Sequence, residues 1–367
     1  MLSLYIHIPF CRRKCFYCSF AVAIAQDQHR DRYLECLRQE AMAYRNQKLA
    51  TVYVGGGTPS LLNEKQIGRL VRIIHSVFDC SAVNEMTIEI NPEDVDERKT
   101  QLLRREGFNR ISLGIQTFQP SLLRILGRSH TSCQASQAFQ GLRRAGFNNI
   151  NVDMIFALPG QTQKQWQRDL DSVTSLEPEH ISYYCLSIEE FSRYHVEGIR
   201  SVSEARQKRQ YEQVCAVLAQ KGYWQYEVSN FARPGKESRH NIHYWQGGNY
   251  IGLGLGAHSH HHGKRKWNVK RLWEYISKIE QGKDPIEGKE TLSLARRLRE
   301  TLVYGLRMVE GVDLEQLNQR FPRMLTSDLR QRIRNLVEEG LLETEGRRLR
   351  ATSRGRLLLD DISVYLI

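Results

Sequence analysis

One local grammar recurs along the first two thirds of the chain: an amphipathic helix ends at glycine, an aromatic residue follows, and a β-branched run begins. Arg104-Arg105-Glu106-Gly107-Phe108-Asn109 leads into Ile111-Ser112-Leu113-Gly114-Ile115, and Arg143-Arg144-Ala145-Gly146-Phe147-Asn148 leads into Ile150-Asn151-Val152-Asp153-Met154-Ile155, 39 residues further on. Lys221-Gly222-Tyr223 is a third instance. A glycine just past a helix takes the left-handed conformation that closes the last turn, and the next apolar residue packs back on the helix. Further strands are expected near 3–8, 51–55, 86–90 and 180–187, with helices near 27–46, 63–77, 95–106, 131–145 and 163–176. Strict alternation of strand and helix implies a parallel α/β sheet. Such a sheet can close into a barrel, stay a curved partial barrel, or be doubly wound, and periodicity does not choose among them. In all three, ligands gather at the C-terminal ends of the strands.

After about residue 285 the strand pattern fades. Helices are expected over 290–308, 312–320 and 325–339, followed by Gly340-Leu341-Leu342-Glu343, a basic turn at Gly346-Arg347-Arg348, and a last helix opened by the stretch from Arg350 to Gly355. This is a winged-helix pattern, equally suited to binding DNA and to serving as a structural lid. The expected units are 1–235, 236–285 and 286–367.

No apolar run in the 367 residues approaches the roughly 20 needed to span a bilayer. Met1 to Ile8 reads as a short alternating strand with no basic and apolar leader before it, so a cytoplasmic protein is expected. The net charge of +12 admits acidic partners, but solvated surface lysine and arginine explain it equally well, and nucleic acid is not an expected partner. Eight cysteines are present, three of them within eight residues, which is unlike a disulfide framework and fits a reducing compartment. Cys36, Cys80, Cys133, Cys185 and Cys215 stand singly in apolar or helical patterns, where cysteine acts as a small hydrophobe.

The clustered three, Cys11, Cys15 and Cys18 in Cys11-Arg12-Arg13-Lys14-Cys15-Phe16-Tyr17-Cys18, directly follow the first strand and converge on one metal centre. Soft thiolates select zinc, copper(I) or iron-sulfur clusters. A zinc site wants a fourth ligand, for which His7 is the nearest candidate, whereas three cysteines on a four-iron cluster leave one iron open. A second motif, Thr51-Val52-Tyr53-Val54-Gly55-Gly56-Gly57-Thr58-Pro59-Ser60, runs a strand into three glycines and a hydroxyl, which either expose backbone to a ligand or simply make a tight turn.

Together the two motifs resemble the radical S-adenosylmethionine superfamily from Leu2 to about residue 260. The resemblance implies a partial (β/α) barrel, a 4Fe-4S cluster on the three cysteines, and S-adenosylmethionine chelated by the open iron. By the same resemblance Tyr5 lies beside the cluster, Tyr17 sits between its last two ligands, and Gly56, Gly57 and Thr58 hold the cofactor's amino group. Glu89, Gln116, Arg128 and Asp153 match further S-adenosylmethionine-binding positions. Read without the resemblance, each is a polar residue at a strand end, but several at successive ends of one sheet converge on one mouth.

The more specific resemblance is to the anaerobic coproporphyrinogen III oxidase family, in its heme-chaperone branch. Arg239-His240-Asn241-Ile242-His243-Tyr244-Trp245 carries an HNxxYW pattern that this branch associates with heme, which makes His240 a cofactor-binding candidate. His258, His260, His261 and His262 form a second cluster near Lys264-Arg265-Lys266, a basic stretch suited to porphyrin propionates. The oxidases carry a further cysteine where this chain has Phe20, and a longer segment before the strand of Tyr5. The resemblance therefore implies a heme carrier that hands heme to acceptor proteins, with radical decarboxylation of coproporphyrinogen as the alternative. It leaves open a homodimer and a peripheral membrane contact.

Overall fold

The computed structural model describes residues 2–367; Met1, the first residue of the expected unit 1–235, lies outside the described residues. Six strands form the body: β1 (Leu2–Ile8), β2 (Leu49–Gly56), β3 (Glu85–Ile90), β4 (Arg110–Gln116), β5 (Ile150–Phe156) and β6 (His180–Cys185). They are parallel and lie side by side in chain order. Between them run α1 (Arg30–Ala41), α2 (Glu64–Val77), α3 (Glu97–Arg105), α4 (Pro120–Leu126), α5 (Ser132–Arg144) and α6 (Gln163–Ser175). A strand order that never reverses, with right-handed crossovers, keeps the helices on one face, so the sheet curls into a barrel wall rather than being doubly wound. It does not close. Beyond β6 lie the short antiparallel strands β7 (Trp224–Gln225) and β8 (Asn230–Ala232), and Glu204–Gln220 forms α7.

The recurring glycine grammar has the geometry it implies. Gly107, Gly146 and Gly222 have φ of +92°, +85° and +80°. The amides of Phe108, Phe147 and Tyr223 donate back to Leu103, Leu142 and Leu218 at 3.1, 3.1 and 2.9 Å, closing each helix and turning the chain into the next strand or loop.

On the far side of β1 the sheet continues past the point where the sequence pattern fades. β9 (Asn249–Leu253) pairs parallel with β1, and β10 (His258–His261), β11 (Lys264–Asn268) and β12 (Ile286–Thr291) extend it antiparallel. β12 reads Ile-Glu-Gly-Lys-Glu-Thr and alternates half-buried with exposed positions. An edge strand of that kind has charged side chains on its open face and carries little apolar signal. Helices α8 (Arg239–Trp245) and α9 (Leu272–Glu280) cover this half.

The large core runs from Leu2 to Ile279, with Leu4, Val52, Ile88, Leu113, Val152, Ile181 and Trp166 fully enclosed. A separate core from Leu298 to Leu366 holds the C-terminal unit. There α10 (Leu294–Gly305), α11 (Leu314–Arg320) and α12 (Ser327–Glu338) precede the hairpin β14 (Leu342–Glu345) and β15 (Arg348–Ala351), with β13 (Val312–Asp313) at its edge and α13 (Leu359–Leu366) last. This is the winged-helix arrangement. Among the described residues no helix is long and apolar enough to cross a membrane.

Candidate cofactor site

The cysteine loop leaves β1 through Pro9 and is pinned at several points. Phe10–Cys11 pairs in parallel with Ala23–Ile24. The Phe16 amide donates to the Leu126 carbonyl at 3.1 Å, and the Phe16 carbonyl accepts from Tyr194 at 3.0 Å. The Phe16 ring lies against Gly127, where a Cβ would come within 2.9 Å, so the left-handed residue that ends α4 also seats the loop. Cys11 is buried, while Cys15 and Cys18 are half-buried. Burial pushes the Cys11 thiol up to about 11, against the pull of Thr58.

The glycine turn is fixed by what it touches. A Cβ on Gly55 would meet Glu89 at 2.8 Å, one on Gly56 would meet the His7 ring at 2.5 Å, and one on Gly57 would meet the Pro9 carbonyl at 2.7 Å. Gly56 also has φ +113°. The Gly57 amide donates to Ile8 at 2.9 Å. The turn is thus a glycine turn for packing reasons as well as for access, and it clamps the stem of the cysteine loop.

Glu89 ends β3 beneath this turn; one carboxylate oxygen accepts from Tyr53 at 2.9 Å and the other from the Gly56 amide at 3.1 Å. Asp153 accepts from Ser112 and Asn151 at 2.7 and 2.9 Å. Burial first, and Asp153 second, raise the Glu89 carboxyl to about 7. Burial likewise raises Asp153. Neither carboxylate is salt-bridged among the described residues, so a cationic ligand would relieve both.

Arg128, which lines the same cavity, donates to Asn91 at 2.7 Å, to the Gly114 carbonyl at 2.6 Å and to the Cys15 sulfur at 3.6 Å. Asn91 in turn donates to Thr58 at 3.3 Å, and Thr58 meets the Cys11 sulfur at 3.4 Å. A continuous polar chain, Cys11–Thr58–Asn91–Arg128–Cys15, therefore spans two of the thiols. Gln116 ends β4 with φ +72°, at a register shift against β5, and its side-chain nitrogen lies over Gly114. A non-glycine residue in this region marks strain of the kind that collects at functional sites.

These groups enclose one cavity of about 540 Å³ at the C-terminal ends of the strands, and Cys11, Cys15, Cys18, Tyr17, Gly56, Gly57, Thr58, Glu89, Gln116, Arg128 and Asp153 all line it. Tyr5 does not: its hydroxyl is 3.0 Å from His7 Nδ1, and its ring packs on Tyr53 below the cavity. Asn91 and Tyr53 carry the site's hydrogen bonds without having stood out in the sequence. The available signal was the place of Asn91 directly after β3 and of Tyr53 on β2, beside Glu89 and the glycine run.

The zinc alternative fails on His7. Its Nε2 lies 2.8 Å from the Ala21 carbonyl, which can only accept, so Nδ1 is left to accept from Tyr5 and both nitrogens are used. Among the described residues, no three His, Cys, Asp or Glu side chains close on a single ion. Three thiols distributed around one cavity wall suit a multi-iron cluster, with one thiolate to each iron, better than one tetrahedral ion.

His240 is in a different setting from the one expected of a heme ligand. It is 3% exposed, lines neither this cavity nor the next, and its Nδ1 sits 2.8 Å from Thr51. Thr51 gives its own proton to Ser3, so His240 donates. The ring is held between Tyr53 and Tyr244 at centroid distances of 5.1 and 4.9 Å. The side chain is part of an aromatic column that continues from Tyr244 to Tyr250 at 4.2 Å. His243 is also structural, with Nε2 2.7 Å from the Asn249 carbonyl and its ring over Gly248. His258 and His260 do line a cavity, a second one of about 470 Å³ at the far end of the column.

Residues 5–173 match the radical SAM superfamily and residues 292–358 match the HemN C-terminal domain. The chain is 36% identical to the heme chaperone HemW of Lactococcus lactis, with 98% of each chain covered, and 35% identical to that of Bacillus subtilis, with 99% of this chain and 98% of the relative covered. The structure of coproporphyrinogen III oxidase (HemN) from Escherichia coli superposes with a TM-score of 0.88 at 25% identity, covering 100% of this chain and 89% of that one.

Proposed function

Since the chain belongs to the radical SAM superfamily, and within it to the HemW family, we propose that it is a heme chaperone carrying a 4Fe-4S cluster and S-adenosylmethionine and delivering heme to acceptor hemoproteins. The observation that carries the cofactor part is the mixed charge of the 540 Å³ cavity: three thiols and the Arg128 guanidinium line it together with two half-buried carboxylates, Glu89 and Asp153, that have no salt-bridge partner among the described residues. S-adenosylmethionine, cationic at its amine and sulfonium and anionic at its carboxylate, complements both signs of charge. When bound, the cluster and S-adenosylmethionine supply one-electron chemistry at the centre of the cavity.

The chain's own residues divide the work of holding them. Cys11, Cys15 and Cys18 would ligate three irons. Gly56 and Gly57 offer backbone without side-chain bulk, Glu89 and Asp153 receive positive charge, and Arg128, fixed by Asn91, balances the thiolates. In this reading 1–235 carries the cofactors, 236–285 the HNxxYW segment, and 286–367 a winged cover joined to the main sheet through β12 (Ile286–Thr291). The cytoplasm, with its reducing poise, suits free thiols and an exposed cluster loop.

Anaerobic reconstitution followed by iron analysis, S-adenosylmethionine binding and heme titration tests the proposal. About four irons per chain and a Soret band saturating near one heme are expected. Replacing Cys11, Cys15 or Cys18 by Ala should remove the iron while helical circular dichroism is largely kept, because the loop lies outside the main core. A preparation that holds four irons in any of these variants counts against the ligand set. Delivery to an apo-hemoprotein, sedimentation and vesicle flotation read out acceptor transfer, a homodimer and membrane contact respectively.

The likeness to the HemN structure keeps a second reading in view, radical decarboxylation of coproporphyrinogen. Phe20, 65% exposed, lines the cavity at the position where the resemblance gives the oxidases a cysteine. Anaerobic incubation with coproporphyrinogen separates the two readings, and protoporphyrinogen formed with turnover would overturn a chaperone-only role.

A further inference from the structure

The second cavity lies between the antiparallel extension of the sheet, the end of α8, and helices α10 and α11 of the C-terminal unit. Its floor follows from strand register. Tyr250, His260, Arg265 and Glu290 stand in one row across β9, β10, β11 and β12, with His258 and Trp267 in the next. Residues two apart on a strand share a face, which is why His258 and His260 line the cavity and His261 does not. Trp267 lies flat because β12 offers it Gly288, where a Cβ would fall 2.1 Å from the ring.

The charges around this floor are uneven. Arg265 and Arg296 are both paired with Glu290 and Glu300, so those four cancel. Arg297 and Arg320 have no carboxylate partner among the described residues. They stand close enough for Arg297 to hold the Arg320 guanidinium below its usual value, after burial, and Arg320 donates to the Gln246 carbonyl at 2.8 Å. Two cations left facing each other at an aromatic cavity are an anion site. His260 completes the set: its Nε2 is buried with no hydrogen-bond partner, and burial, against a smaller pull from the Gly248 backbone, lowers its pKa, which favours the neutral imidazole that can bind a metal.

We propose that this cavity, and not the surroundings of His240, holds the heme: the porphyrin against Trp267 and Tyr250, its propionates on Arg297 and Arg320, and its iron on the His260 imidazole. The placement rests on the heme-carrier reading given above. About 470 Å³ falls within the roughly 300–1,000 Å³ of small-molecule sites. Planar aromatic walls, paired cations and an imidazole are what a flat dicarboxylate with a central iron asks for.

Heme titration of the full chain, followed at the Soret band, tests the placement with S-adenosylmethionine binding as the control on folding. The Arg297→Ala/Arg320→Ala double variant should weaken heme binding roughly tenfold to a hundredfold. His260→Ala should shift the Soret band, and added imidazole should restore it, a rescue that a merely structural histidine would not show. Gly288→Val, which displaces Trp267, should weaken binding without altering S-adenosylmethionine affinity. Wild-type binding with all three variants unchanged would overturn the placement and leave the heme-carrier reading standing. No heme binding by the wild type would overturn both.

Discussion

At Gly57 a single methyl group decides whether the cysteine loop can sit where it does. The Cβ of Gly57→Ala would lie 2.7 Å from the carbonyl carbon and oxygen of Pro9, a backbone group that cannot swing away. The variant should lose about 1–3 kcal/mol of stability and much of its iron. Gly56→Ala adds the cost of a left-handed alanine at φ +113°, about 1–2 kcal/mol more, to its clash with His7. Thermal melts and iron analysis of the two variants check this, and full iron with unchanged melting would refute the clamp. His240 gives a second test. Burial holds its imidazole near a pKa of about 3, below the 6.5 of the unfolded chain. The unfolded state therefore takes up the proton first: the stability is fully present above pH 6.5 and is lost as pH falls toward 3, at about 1.4 kcal/mol per pH unit. His240→Ala should be less stable at pH 7 yet show a shallower acid limb in denaturant titrations across that window. The three clustered cysteines, proposed as cluster ligands, were legible because eight residues hold all three. The true setting of His240 was not, since nothing in HNxxYW reveals that Thr51, Tyr53 and Tyr244 enclose the ring.

Helices and barrel strands were legible as elements because period and glycine stops mark them locally, and their ends fall within a few residues of the expected ones. The extension β9–β12 was not, because its strands are short, rich in glycine, histidine and charge, and held by partners far away in sequence. One such partner is Glu40 on α1. Its carboxylate accepts from the Gly254 amide at 2.8 Å, from Asn268 at 2.6 Å and from Tyr275 at 2.6 Å, joining α1 to the ends of β9 and β11 and to α9. Glu40→Ala leaves the buried Gly254 amide and Tyr275 hydroxyl without this acceptor and Asn268 with only the Gly254 carbonyl, and should cost about 2–5 kcal/mol, a loss readable by urea unfolding. The same logic governs α8. Glu85 on β3 accepts the amides of Arg239 and His240 at 2.9 and 3.0 Å, which fixes the first turn of the HNxxYW helix. Glu85→Ala should free that helix, and with it Tyr244 and Trp245 in the second cavity, so heme affinity should fall while S-adenosylmethionine affinity holds. Equal loss of both would mean that β3 itself had moved.

Across the whole molecule, alternation fixed a parallel sheet but could not say that the sheet stays open, because closure depends on which strands find each other at the edges. Openness matters here: β1 keeps a free edge for β9, and the resulting extension builds a second cavity that a closed barrel would lack. The basic wing, the other global feature that composition brought forward, is internally neutralised. Arg347 pairs with Asp313, Arg348 with Glu310, and Arg350 with Glu343 and Glu345. These pairings leave the wing little free positive charge to offer a nucleic-acid backbone. The two cavities are joined by the column Tyr53–His240–Tyr244–Tyr250, but a packed column transmits coupling only if it has two arrangements, and this one is closely packed, with ring centroids 4.2–5.1 Å apart. The cavities should therefore titrate independently. A triple Cys11→Ala/Cys15→Ala/Cys18→Ala chain, free of cluster, should bind heme within about threefold of wild type, and S-adenosylmethionine should leave the wild-type heme affinity unchanged, since a ligand with equal affinity for both states shifts nothing. His240→Ala is the expected exception, because it opens a void between Tyr53, which lines one cavity, and Tyr244, which lines the other. Measured on one preparation, its iron retention and its Soret titration should fall together. A fall in heme binding alone, with iron and stability intact, would return the ligand role to His240 and displace His260 from it.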